Sequence, residues 1–128
     1  MHAVKSHVDL IVWQKSVALA SKVYLATSRF PAAERAGLSP QMRRAALMIA
    51  SHIADGAGRT ARGEYIRFLD LARSSLAELE TQLHITGRLQ MLDAGLNLQD
   101  EVAEIRRLLA LHIRKLREER IPGVNIKT

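Results

Sequence analysis

The sequence predicts an all-α chain, an antiparallel up-down four-helix bundle, on three observations. Leu and Ala, both strong helix formers, supply eighteen residues each of the 128. Gly and Pro recur at Pro31, Gly37, Pro40, Gly56, Gly58, Gly63, Gly87, Gly95, Pro122 and Gly123, and they leave four long amphipathic segments between them. No alternation of apolar and polar residues of the kind that marks a strand interrupts those segments. Four such helices joined by short links bury their apolar stripes against one another as a bundle. The length supports one domain, placed at residues 1–120, with an irregular tail over 121–128 where Pro122 and Gly123 fall.

The first helix is expected to start near Asp9 and to end before Phe30-Pro31, because Pro disfavours helical geometry in the residue before it. Trp13, Val17, Ala20 and Tyr24 recur at i, i+4, i+7 and i+11 and are taken as its buried face. The second helix is expected to open with Ser39 as N-cap and Pro40 at the first helical position. Its stripe is Met42, Ala45, Ala46, Ile49 and Ile53, and Gly56 or Gly58 would supply a left-handed cap at its end. The third begins after Thr60 and carries Tyr65, Phe68, Leu69, Ala72, Leu76, Leu79 and Leu83 on one face, continuing past Gly87 to about Leu92. Asn97 caps the fourth, with Asp100 and Glu101 well placed against the helix dipole and Leu98, Val102, Ile105, Leu109 and Leu116 facing the core.

Charge supplies the first functional indication. Nineteen Lys and Arg against thirteen Asp and Glu give a formal +6, and fourteen of the nineteen are Arg. Arg is the side chain suited to bidentate phosphate contacts. Cys is absent, which excludes disulfides, thiol catalysis and Cys-ligated zinc and fits a cytoplasmic protein. No run approaches the ~20 apolar residues of a membrane helix, and no secretory signal pattern opens the chain, so no membrane partner is expected.

Several apolar residues lie off the core stripes: Ile11, Ala18 and Leu25 on helix 1, Leu47 and Ala54 on helix 2, Ile66, Leu71 and Ala77 on helix 3. A wide core face would absorb some of them. Their number on three helices favours a second buried surface, and hence self-association.

Particular strings carry a family resemblance. Asp9-Leu10-Ile11-Val12-Trp13-Gln14-Lys15 opens helix 1, with Phe30-Pro31 after it, and Gln41-Met42-Arg43-Arg44-Ala45-Ala46 opens helix 2. Ser51-His52-Ile53-Ala54-Asp55-Gly56 closes helix 2, followed by Glu64-Tyr65-Ile66-Arg67-Phe68-Leu69 and Ser75-Leu76-Ala77-Glu78-Leu79-Glu80-Thr81-Gln82-Leu83. Over about residues 9–92 the chain resembles the four-helix-bundle proteins encoded in intervening sequences of bacterial large-subunit ribosomal RNA genes. That family includes the accessory variability protein of diversity-generating retroelements. His52 and Asp55 depart from its usual Ser-Asn-Ile-Ala-Glu-Gly. The resemblance implies a homopentameric barrel of basic bundles that binds nucleic acid, in the retroelement branch alongside a reverse transcriptase and its RNA. It carries over no catalytic residue.

Enzymatic constellations are weak. A di-iron bundle needs Glu-x-x-His pairs, and no Glu here has a His three places later. Gly56-Ala57-Gly58 with Gly63 follows a helix rather than a strand and lacks the Gly-Lys-Ser/Thr of a phosphate loop. No Ser has a nucleophile-elbow context. No catalytic residue, metal or cofactor is therefore assigned.

The arginines make the best pattern. Arg106, Arg107, Arg114 and Arg117 fall within about 100° of one another around helix 4, with Glu104, Glu118 and Glu119 on the other flank. Arg43 and Arg44 stand near the start of helix 2, and Arg59 and Arg62 at the turn where helix 3 begins. Arg43 lies at the edge of the apolar stripe, so pairing with Glu78 or Glu80 is an equal reading of it. These eight arginines are the candidate nucleic-acid contacts, made mainly to phosphates because aromatic platforms are scarce. The alternative is a scaffold whose basic face docks an acidic protein and no nucleic acid.

Overall fold

The computed structural model describes residue 7 and residues 10–93 and 96–118. Among these there are four α-helices and no strand: α1 (Ile11–Thr27), α2 (Leu38–Ala57), α3 (Arg62–Arg88) and α4 (Leu98–Glu118), with a 3-10 turn at Ala32–Glu34 between α1 and α2. α1 and α3 each pack on both α2 and α4, so the helices stand at the corners of a square. Neighbours run antiparallel. Lys15 pairs with Glu104 (3.2 Å) and Lys22 with Glu101 (2.9 Å), so position rises along α1 as it falls along α4. The expected tail at 121–128 and the expected helix start at Asp9 lie outside the described residues.

Along α1 the core face is not the expected one. Val12, Ser16, Leu19, Ala20, Val23 and Thr27 are buried, whereas Val17 and Tyr24 are exposed and Trp13 is half-buried. The helix is turned by roughly a quarter revolution from the aromatic stripe. Two polar residues make this possible, because each satisfies its own hydroxyl. Ser16 Oγ donates to the Val12 carbonyl (2.7 Å) and Thr27 Oγ1 to the Val23 carbonyl (2.8 Å). A buried hydroxyl that finds an i−4 carbonyl loses little on leaving water. Burying Leu19 and Val23 on the same face stabilises by about 1.5–3 kcal/mol each.

α2 begins two residues earlier than predicted. Gly37 occupies the N-cap position, and the Glu34 carboxylate caps the helix by accepting from the Leu38 N–H (3.1 Å). Ser39 is instead inside the first turn, buried, with its hydroxyl toward the Thr27 carbonyl at 3.5 Å. The predicted stripe Met42, Ala45, Ala46, Ile49 and Ile53 is fully buried. Neither glycine forms a left-handed cap. Gly58 ends the helix with φ −82°, and Gly56 lies inside it, buried against α3. A Cβ on Gly56 would stand 2.9 Å from Phe68 Cβ and 3.2 Å from the Tyr65 carbonyl oxygen. This glycine lets two backbones approach, which is a packing role rather than a turn.

The predicted α3 and α4 stripes are buried, with Phe68 half-buried and Ile113 joining the α4 face. α3 stops at Arg88, short of Leu92. Gln90 turns to φ 56°, its N–H donates to the Gly87 carbonyl (3.1 Å), and the Met91 N–H donates to the Thr86 carbonyl (2.9 Å). That pair of bonds is a Schellman ending with Gln where Gly is usual. Asn97 caps α4 as predicted, its Oδ1 accepting from the Asp100 N–H (3.3 Å).

Candidate nucleic-acid interface

Arg107, Arg114 and Arg117 are exposed on the side of α4 turned away from Leu109, Ile113 and Leu116. None of the three has an ion-pair partner among the described residues. Of the α4 acids, Glu101 and Glu104 face α1 and hold Lys22 and Lys15, while Glu118 stands exposed one turn after Arg114. Arg106 is the link to the neighbouring helix, pairing with Glu80 of α3 at 2.5 Å. The helix is therefore bonded to the bundle along both edges and keeps three charges pointing outward. Arg117 and Lys115 also sit in the last turn, where the helix dipole favours cations.

The other predicted contacts divide between fold and surface. Arg62 Nη1 donates to the Leu116 carbonyl (3.1 Å), tying the start of α3 to the end of α4 and bringing Arg62 beside the α4 group. Arg59 lies over the Phe68 ring with its Cζ 4.5 Å from the centroid, and Arg67, which the sequence did not mark, lies over the same ring at 4.9 Å. The half-buried ring is thus flanked by two guanidiniums beside the α2–α3 turn. Arg43 and Arg44 stand at the other end of the bundle. Arg43 does not reach Glu78 or Glu80. Its Nε donates to Thr27 Oγ1 (2.7 Å), one Nη donates to the Tyr24 carbonyl (3.3 Å), and its guanidinium lies over the Tyr24 ring at 4.6 Å. Arg44 is exposed.

The residues predicted to cover a second surface also separate. Ile11 (62% exposed) and Leu25 (68%) project from α1, Leu47 from α2, and Ala18 and Ala77 are exposed. Leu71 is half-buried, and Ile66 packs on the core of its own bundle. The displaced α1 stripe accounts for the clearest patch. Trp13, Val17, Tyr24 and Leu25 face Leu47 and Ala54 across an apolar cleft of about 660 Å3 between α1 and α2.

Tyr65 and His112 share a 2.7 Å hydrogen bond between α3 and α4. Burial pushes the Tyr65 phenol up to about 12, so it stays neutral. Among the described residues no three His, Asp or Glu side chains gather as metal ligands would. Nor is any helix there long and apolar enough to cross a membrane.

Residues 8–111 match the 23S rRNA-intervening sequence proteins. A solved structure from Bacteroides thetaiotaomicron, a protein of unknown function from the S23 ribosomal protein family, has the same fold. It superposes with a TM-score of 0.74 at 21% identity, covering 81% of this chain and 96% of that one. No curated protein matches. With the match spanning α1 to most of α4, the chain belongs to the 23S rRNA-intervening sequence protein family.

Proposed function

We propose that the protein is a non-catalytic, cytoplasmic nucleic-acid-binding protein that works as a homo-oligomer, with phosphates as its main contacts. The observation that carries this reading is the trio Arg107, Arg114 and Arg117, unpaired on the outer face of α4 among the described residues. From first to last they span about 15 Å of helix. A duplex presents one phosphate charge per ~1.7 Å of axis, so three guanidiniums on that length have phosphates within reach. Repetition around an oligomer multiplies the contacts, and five copies would carry roughly +30. The apolar α1–α2 cleft with Ile11, Leu25 and Leu47 exposed supports self-association, and the family resemblance supports five copies and work beside an enzyme such as a reverse transcriptase.

The test is a titration of fluorescent RNA and DNA, duplex and single-stranded, at several salt concentrations. Three phosphate contacts on a duplex give a log–log salt slope of about −2.7 per protomer, or a roughly 40-fold loss of affinity from 50 to 200 mM. The variant Arg107→Glu/Arg114→Glu/Arg117→Glu is expected to abolish binding while light scattering shows the same oligomer. Binding left intact by that variant would remove α4 from the interface. No binding at low salt would turn the reading to an acidic protein partner.

A further inference from the structure

We infer that the cleft at the junction of α1 and α2 is a binding site for the phosphate groups of a nucleotide. It has a volume of about 640 Å3, within the range of small-ligand sites, and is walled by the end of α1, the loop after it and the first half of α2. Its charged lining is of one sign: Arg35, Arg43 and Arg44, with no carboxylate. In a chain with thirteen acids to nineteen bases, that separation concentrates positive potential in a concave site.

Each guanidinium has donors to spare. Arg43 is held in place by Thr27 Oγ1, the Tyr24 carbonyl and the Tyr24 ring, which uses two of its five N–H groups and leaves three for a ligand. A pinned guanidinium has already lost the side-chain freedom that binding would otherwise cost. Arg35 and Arg44 have neither ion pair nor side-chain hydrogen bond among the described residues. The acids at this end of the bundle, Glu34 next in sequence and Asp93 through its pair with Arg29, are committed. Glu34 caps α2 through the Leu38 N–H. Serine and threonine hydroxyls in the wall donate inward to backbone carbonyls, Ser28 to Leu25 and Thr27 to Val23, so the guanidiniums carry the recognition. Phe30, Pro40 and Met48, none of which lines the cleft assigned to self-association, supply an apolar wall for the organic part of the ligand.

This site is separate from the α4 surface, because α2 and α4 occupy diagonal corners and the cleft lies at the α1–α2 edge. Its failure would leave the proposed function standing, and the reverse also holds. The experiment is calorimetric titration of the full chain with ADP, with pyrophosphate and with sulfate as the simple-anion control. Saturable binding of ADP, tighter than sulfate, is expected. Arg35→Ala and Arg44→Ala should each weaken it roughly tenfold, the loss of one charge-assisted hydrogen bond. Both side chains are exposed, so the variants should keep the far-UV spectrum of the parent. The Arg107→Glu/Arg114→Glu/Arg117→Glu variant should bind ADP as the parent does. Displacement of ADP by a 5′-phosphorylated RNA tetramer, but not by its 5′-hydroxyl form, would assign the phosphate to a chain end as well as a free nucleotide. No saturation with ADP at millimolar concentration, affinity no better than for sulfate, or affinity unchanged in the two single variants would overturn the site.

Discussion

Replacing Gly56 by Ala tests the closest approach in the bundle. The added methyl would lie 2.9 Å from Phe68 Cβ, 3.0 Å from Tyr65 Cδ1 and 3.2 Å from the Tyr65 carbonyl oxygen, where ordinary contact begins near 3.4 Å. Two of those atoms are a Cβ and a backbone oxygen, which cannot swing aside, so α2 and α3 must part locally by about half an ångström. Overpacking of this kind costs about 1–3 kcal/mol. Against it stands the better helix propensity of Ala, about 1 kcal/mol in a helix interior and about half that at Gly56, which like Gly87 is the next-to-last residue of its helix. The net expectation is a destabilisation of ~1 kcal/mol. Gly87→Ala makes the same chemical change on α3 with nothing within 4 Å of the new methyl. Near the helix end the propensity gain is smaller, and a stabilisation of ~0.5 kcal/mol is expected. Urea unfolding followed by circular dichroism reads the difference. At a slope of about 2 kcal/mol per molar, the two midpoints should stand about 0.8 M apart, with Gly56→Ala the lower. A Gly56→Ala protein as stable as Gly87→Ala would refute the close-packing argument.

Two further outcomes follow from the geometry. Gln90 holds φ 56° at the end of α3, so Gln90→Gly relieves a left-handed conformation and should raise stability by about 0.5–1 kcal/mol in the same urea assay. Tyr65 has a folded-state pKa of about 12 against an ordinary 10, so the neutral phenol is favoured by folding. Its contribution is complete below pH 10 and is lost as pH rises through 12. Stability should fall across that window, and Tyr65→Phe should flatten the fall while removing the phenol that ionises at the higher pH from the absorbance curve at 295 nm.

Three of the four helix faces are legible from periodicity because α2, α3 and α4 carry long apolar rows, Met42 to Ile53, Tyr65 to Leu83 and Leu98 to Leu116, which the buried Gln82 and Thr86 at the end of α3 do not displace. α1 misleads because its core row includes Ser16 and Thr27, which count as polar in a pattern yet are satisfied by their own helix. Trp13, Val17 and Tyr24 form the more hydrophobic row and lie at the α1–α2 cleft. The Asn97 cap is readable since it depends on four consecutive residues, whereas the Gly56 contact depends on where α3 passes. The same distinction runs through the arginines. Helical spacing alone places Arg107, Arg114 and Arg117 on one side of α4. Nothing local shows that Arg43 bends onto Thr27, that Arg62 reaches Leu116, or that Arg35 joins Arg43 and Arg44 around one cleft.

The square arrangement bears on how the chain finds its structure. Three of its four interfaces join helices consecutive in sequence, so most of the loops that must close are short and cost little entropy. Only α1 against α4 requires distant segments to meet, as in the Lys22–Glu101 pair, 79 residues apart. Such low contact order belongs to fast-folding topologies. The α2–α3 hairpin, joined by four residues and closed where Gly56 meets Tyr65, is the pairing expected to form first, with the arginine-bearing α4 docking afterwards between α1 and α3, an order that φ-values would read.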